Sequence, residues 1–190
     1  MPSSEVVAYH GTSAVSAERI LTDGFVASIN RYDWLGDGTY FFQEVPGFPR
    51  TGLEHAWAWA NKQHAGSPVV LRAKIELLDC MDLLDHGWSS RLRLLHDQLS
   101  MRATERGLDL PRQAGGNHGL DRMLINYAAR VLADAGKPVR SVRGCFGEDS
   151  RAPFPGSSLV DLTHVQIAVR DAGVIAAIET VPRPPDATVP

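Results

Sequence analysis

Apolar and polar positions along this chain group into strands, then helices, then strands again. Residues 5–10 form a short, β-branched and apolar run closed by Gly11, the pattern of a buried strand. Thr12 or Ser13 can cap a following helix, which carries Val15, Ile20 and Leu21 at helical spacing and stops at Asp23-Gly24. Residues 25–28 read as a second short strand, 30–38 as a glycine-bearing loop exposing Trp34, and 39–43 as an aromatic strand. Two prolines and two glycines keep 45–52 irregular, while 53–63 is a helix with Ala56, Trp57 and Ala60 on one face. Residues 69–77 alternate as a half-buried strand.

The middle of the chain shifts to helical spacing. Ser89 or Ser90 can cap a helix running to Glu105, with Leu92, Leu95, Leu99 and Ala103 along it. A glycine- and proline-bearing connector leads to a second helix over 120–135, with Leu120, Leu124, Tyr127 and Val131 as its core stripe and Gly136 at its end. After Pro138 come an irregular strand over 139–146, a polar loop over 147–158, a period-two strand over 160–171 and its hairpin partner over 173–181. From Pro182 the chain has four prolines in nine residues, the composition of a disordered tail. The expectation is one α+β domain over 1–181 and a tail over 182–190, without internal repeats.

Composition narrows the functional classes. An apolar share of 44% and a charged share of 22% are those of an ordinary globular protein. A net charge of −3 argues against coating nucleic acid by bulk electrostatics and leaves local basic patches open. Arginines cluster at Arg91, Arg93, Arg102, Arg106 and Arg112, read as a solvated helix face, and at Arg140, Arg143 and Arg151. Cys80 and Cys145 stand far apart, with no Cys-x-x-Cys and no ligand-spaced histidines, so neither a disulfide framework nor a zinc site is expected. The first residues lack a basic and then apolar leader pattern, and no apolar run is long enough to span a membrane. A cytosolic location is the expectation.

The chemistry concentrates in two stretches. Tyr9-His10-Gly11-Thr12 ends the first strand, and Leu35-Gly36-Asp37-Gly38-Thr39-Tyr40-Phe41-Phe42 enters another through a glycine-rich turn. A neutral imidazole at His10 can donate to and accept from a hydroxyl, Gly11 lets backbone approach a planar ligand, and Tyr40 offers a stacking ring. On the late strand, His164, Gln166 and Ala168 share one face and Val165, Ile167 and Val169 the other. Each feature also has a plain structural reading. His10 fits as a satisfied strand-end residue, Tyr40 and its phenylalanines as core, Gln166 as a cross-strand partner, and Trp34, Trp57 and Trp59 as packing. Trp34 could alternatively cover a ligand.

Taken in order, His-Gly-Thr, then Gly-x-Gly-x-Tyr-Phe, then a polar-faced late strand resemble the ADP-ribosyltransferase catalytic domain, in its poly(ADP-ribose)-polymerase and diphtheria-toxin branch. The resemblance rests on three separated motifs and leaves the central helices unmatched. It implies split antiparallel sheets with flanking helices, NAD as co-substrate, and no metal. By resemblance, His10 contacts the nicotinamide ribose, Gly11 holds the carboxamide and Tyr40 stacks on the nicotinamide, with Thr12, Ser28 and Asn30 completing the pocket. The family's third motif carries a glutamate where this chain has Gln166. By resemblance Gln166 is the third catalytic member and holds the ribose or the acceptor. Glutamine can bond a hydroxyl but cannot take its proton, which disfavours polymer elongation and favours a single transfer to an already nucleophilic group.

The loop over 147–158 sits where the family carries its acceptor loop, so Glu148, Arg151 and Phe154, with His164, are the candidate acceptor contacts. The expected activity is mono-ADP-ribosylation of a macromolecule, an RNA or DNA base ahead of a protein. By analogy such an enzyme is a toxin or anti-phage effector, which would have an antitoxin as partner and no membrane attachment. Two alternatives stand beside it. One is an NAD-dependent RNA 2′-phosphotransferase, for which Arg19, Arg143 and Arg170 would bind phosphate. The other is a degenerate module that binds NAD or ADP-ribose without turnover.

Overall fold

The computed structural model describes residues 5–47, 50–114, 116–147, 152, 154–155, 157 and 163–183. Its first strand is longer than the glycine suggests: β1 spans Glu5–Ser13, with Gly11 inside it. Ser13 caps α1 (Ala14–Asp23), its hydroxyl accepting from the Ser16 amide at 3.2 Å. β2 (Thr39–Gln43), α2 (Thr51–Gln63) and β3 (Pro68–Glu76) follow in the expected places. Residues 25–28 form no strand; Ser28 makes only an isolated bridge to Gly38. A short β4 (Cys80–Asp82) follows, too brief to carry a period.

α3 (His86–Glu105) begins earlier than its serines suggest, because the Asp85 carboxylate takes the cap, accepting from the Gly87 amide at 2.9 Å. The connector contains a small hairpin, β5 (Gln113–Ala114) and β6 (Asn117–His118), which leads into α4 (Gly119–Asp134). β7 (Ser141–Gly147), β8 (Thr163–Val169), a 3-10 turn at Ala172–Val174 and β9 (Ile175–Val181) follow. Of the expected tail, Pro182 and Arg183 are described, and 184–190 lie outside the described residues.

Among the described residues, seven strands form one sheet in the order β4-β7-β8-β2-β1-β3-β9. The class is therefore α+β, but the sheet departs from the expected arrangement in two ways. It is mixed rather than antiparallel throughout, since β4 pairs with β7 in parallel. It is also continuous rather than divided, although the join is slender. β1 and β2 pair only at Ala8↔Gln43 and Tyr9↔Phe42, whereas β1 pairs with β3 along its whole length from Glu5↔Glu76 to Ser13↔Pro68.

The expected β8–β9 hairpin is absent. Both edges of β8 are already occupied, by β2 and β7, so no ladder position is left for β9 there. The turn after β8 redirects the chain to the free edge of β3, where Ala73↔Ile178 and Val70↔Val181 pair.

Among the described residues, three packed groups hold these elements. Ala8, Phe41, Ala73, Ile75 and Ile167 fill one face of the sheet, and Tyr9, Phe42, Ala56, Trp57 and Ala60 lie between sheet and α2. Leu35, Met81, Ile125, Ala128, Val142 and Ala168 lie under α4. The buried stripe of α4 is Leu124, Ile125, Ala128 and Ala129; of the expected stripe Leu124 is buried, Leu120 and Tyr127 are half-buried and Val131 is exposed, and small residues let the helix approach the sheet closely.

Candidate functional site

The site begins where β1 and β2 separate. Their ladder ends at Tyr9↔Phe42, although β1 continues to Ser13 and β2 starts at Thr39, so the remaining lengths diverge as a fork. His10 spans its base. Its Nδ1 lies 2.8 Å from the Tyr40 carbonyl oxygen, which can only accept, so Nδ1 carries the proton and Nε2 presents a lone pair. Burial lowers the His10 pKa; the Tyr40 carbonyl opposes this and the nearby His64 adds to it, leaving the ring neutral at pH 7. An edge-on contact with Phe25 at 5.3 Å and a tilted one with Phe41 at 5.6 Å fix its plane.

Gly11 answers two demands at once. A Cβ there would meet the Ala56 carbonyl oxygen of α2 at 2.4 Å and Ala60 Cβ at 3.2 Å, so glycine is required for α2 to sit on the strand. The Val7 carbonyl accepts from the Glu44 amide at 2.8 Å, which sets the odd-numbered backbone groups of β1 toward the β2 side. By alternation the amide and carbonyl of Gly11 point the same way, past the last ladder pair, where β2 provides no partner. A donor and an acceptor side by side on strand backbone suit a planar carboxamide.

Tyr40 is held by its hydroxyl, which accepts from the Leu35 amide at 2.8 Å and donates to the Gly36 carbonyl at 2.9 Å. Burial raises the phenol pKa, with the carboxylate of Asp33 adding to it. The hydroxyl is thus committed to the loop and unsuited to proton transfer, and the ring is a rigid platform. The loop is pinned from behind. Gly36 has φ +80° and lies against Asn126, whose Oδ1 accepts from the Asp37 amide at 3.0 Å and from Arg170 at 2.7 Å.

The far wall is a side-chain relay. The Trp34 indole N–H donates to Gln166 Oε1 at 2.8 Å, and Gln166 Nε2 donates to His164 Nε2 at the same distance. Trp34 is consequently half-buried, not exposed: its ring packs on Phe146 with centroids 4.9 Å apart and lies over Gly144, where a Cβ would come within 2.8 Å of it. His164 is buried and packs at a tilt against His55, with ring centroids 4.4 Å apart. Burial, then the neighbouring His164, push the His55 pKa down to about 4.

These walls enclose a cleft of about 630 Å³, within the range of small-molecule and cofactor sites. Of the residues expected there, His10, Gly11, Ser28, Tyr40 and Gln166 line it together. Thr12 is buried on β1 and does not line it, and Asn30 acts from outside, donating through Nδ2 to the Ser28 hydroxyl at 2.7 Å. Among the acceptor candidates, His164 stands behind Gln166, Phe154 is exposed away from the lining, and Glu148 and Arg151 lie outside the described residues.

Sequence reasoning missed Asp33, His118 and Phe146, and counted Trp59 as packing only; all four line the cleft. Asp33 is buried and accepts from the Ser28 hydroxyl at 2.8 Å and from the Asn30 amide; burial raises its pKa and these donors oppose the rise. The Asn30-x-x-Asp33 spacing, a side chain closing its own turn, was the available signal. His118 and Phe146 carried none, since only the tertiary fold brings them to this wall.

No arginine or lysine lines this cleft among the described residues. Arg143 donates to Gln43 and Asp82, Arg170 to Asn126 and the Asp37 carbonyl, and Arg19 is exposed on α1. The described residues also contain no group of three or more His, Cys, Asp or Glu arranged to hold a metal ion, and no helix long and apolar enough to cross a membrane. No family model matches the chain, and no curated protein matches it at a significant level.

Proposed function

We propose that this chain is an NAD-dependent mono-ADP-ribosyltransferase whose acceptor is macromolecular, a nucleic-acid base ahead of a protein side chain. The observation that carries the reading is the β1–β2 fork. It places an unpaired backbone donor–acceptor pair at Gly11, a neutral His10 and the fixed Tyr40 ring around one cleft. Transfer would break the bond from nicotinamide nitrogen to ribose C1′, with oxocarbenium character at C1′. The acceptor's electron pair then closes on C1′, nicotinamide leaves neutral, and the acceptor's proton passes to solvent. In this reading Gly11 backbone grips the carboxamide, Tyr40 stacks on the nicotinamide, and His10 Nε2 accepts from a ribose hydroxyl. Asp33 contributes negative potential on the side where positive charge develops. Gln166 holds Trp34 and His164, so its part is to shape the wall.

The test is incubation of the chain with NAD labelled in its adenylate half, together with RNA, single-stranded DNA and protein extract. The expected result is free nicotinamide with label on acid-insoluble material that nuclease, not protease, releases. A second reading, an NAD-binding module without turnover, is favoured by one observation: both ends of the Gln166 amide are already engaged. It would give saturable NAD binding by calorimetry and no nicotinamide. Absence of both binding and nicotinamide release overturns the whole assignment.

A further inference from the structure

A second depression borders the cleft on its α4 side, about 680 Å³ in volume, and its charge is opposite in character. Arg31, Arg112, Arg122 and Arg130 line it together with Asn117 and Tyr127, and no acidic side chain does among the described residues. Four guanidinium groups in one groove stand out on a chain of net charge −3. Arg122 is spent locally on Asp37, at 2.6 Å. Arg31, Arg112 and Arg130 are exposed and make no ion pair with a described residue, and the Arg130 guanidinium lies 5.1 Å above the Tyr127 ring. Unneutralised arginines with an aromatic ring among them are the equipment of a phosphate-binding surface.

Groove and cleft are separated by a thin wall. In the β5–β6 hairpin and its exit, Gly116 and His118 face the cleft while Asn117 and Gly119 face the groove; in the adjoining loop, Arg31 faces the groove and Tyr32 the cleft. The His118 amide donates to the Arg31 carbonyl at 3.0 Å, tying the two halves of the wall together. We propose that this groove binds the phosphates of a single-stranded nucleic acid and so delivers one of its bases to the cleft, a proposal that rests on the transferase reading for the chemistry after binding. Two features favour a strand over the compact diphosphate of NAD. The three arginines without an ion pair to a described residue come from separate segments, Arg31 from the loop before β2, Arg112 from the connector before β5 and Arg130 from the last turns of α4, so the positive charge is spread along a groove rather than focused on one diphosphate. The cleft beyond the wall is aromatic, as an unpaired base requires and a paired one cannot use.

The experiment compares the full chain with an Arg31→Ala/Arg112→Ala/Arg130→Ala variant. Fluorescence anisotropy with a labelled single-stranded RNA and DNA of mixed sequence is measured across a salt series, with a poly-glutamate peptide as a competing polyanion. All three arginines are exposed, so the variant should melt with the wild type, and the matching triple Lys variant should regain most of the binding. Expected are an affinity loss of tenfold or more and a drop of about two in the log–log salt slope, since each single-strand phosphate contact contributes about 0.7. The KM for NAD in nicotinamide release without acceptor should not change. Equal oligonucleotide affinity in the two proteins overturns the proposal. So does a KM for NAD that rises while oligonucleotide binding holds, or poly-glutamate that binds more tightly than the oligonucleotides. Binding is read without NAD, so a wild type that releases no nicotinamide counts against the transferase reading and leaves the groove to be decided by its own data.

Discussion

Trp34 and Gln166 are 132 residues apart in sequence and joined by an indole-to-amide hydrogen bond of 2.8 Å. That bond turns a loop tryptophan into a wall of the cleft and gives Gln166 a positional duty. Gln166→Ala would leave the indole N–H and His164 without this partner, at a cost of about 1–3 kcal/mol of stability. Turnover should fall tenfold or more, with a red shift in tryptophan emission. Gln166→Glu keeps an oxygen for Trp34 and adds a group able to accept a proton, so hydrolysis of NAD by water should rise relative to transfer. Rate, product ratio and emission all unchanged in both variants would remove Gln166 from the site.

The Tyr40 hydroxyl and ring can be separated by mutation. Tyr40→Phe keeps the platform and strips the hydroxyl from the Leu35 amide and the Gly36 carbonyl, two groups inside the loop. Stability should drop by about 1–3 kcal/mol, and the KM for NAD should rise more than kcat falls, because the loop loosens while the stack survives. Tyr40→Ala should lose turnover altogether. Stopped-flow nicotinamide release with thermal melts reads both; a Phe variant as inactive as the Ala variant would give the hydroxyl a chemical part that its bonding argues against.

Strong local periodicity made much of the fold legible. The β1 and β2 runs and the Ser13 cap on α1 stand close to where the residues imply, because each is fixed by its own sequence. The misreadings have non-local causes. Gly11 looked like a strand end, yet it is an interior residue whose missing Cβ makes room for α2. Trp34 sits among polar loop residues and looked exposed, but its partner comes from β8. β9 was paired with its sequence neighbour, while the occupied edges of β8 send it to β3. His10, Gly11 and Tyr40 could be found from motif order; His118 and Phe146 could not, since nothing local marks them as neighbours of the cleft.

Gly11 also separates structural need from ligand need. Gly11→Ala puts a methyl 2.4 Å from the Ala56 carbonyl oxygen, a backbone atom that cannot turn aside, so α2 must shift. Overpacking of this kind costs about 1–3 kcal/mol and sometimes more. The expected outcome is a clear fall in the urea midpoint together with loss of NAD binding. A variant that melts with the wild type yet no longer binds NAD would mean that the close approach of α2 tolerates a methyl and that the ligand alone demands glycine.

His55 provides a pH signature of the cleft wall. Its folded pKa is pushed down to about 4, by burial first and then by His164, whereas the unfolded chain titrates near the ordinary histidine value. Between those two pH values the unfolded state binds a proton that the folded state refuses, so stability falls as pH falls through the window and is flat above it. His10, also shifted down by burial, adds in the same direction. Allowing for the partial exposure of His55, its share is on the order of 2 kcal/mol. His55→Phe keeps a ring against Phe42, where the two now stack 5.9 Å apart, and removes the titration. Urea midpoints at pH 7, 6, 5 and 4.5 should therefore decline less steeply in the variant than in the wild type. Parallel curves would show that His55 takes up its proton in the folded protein as readily as in the unfolded chain, and that the aromatic wall is wetter than its packing indicates.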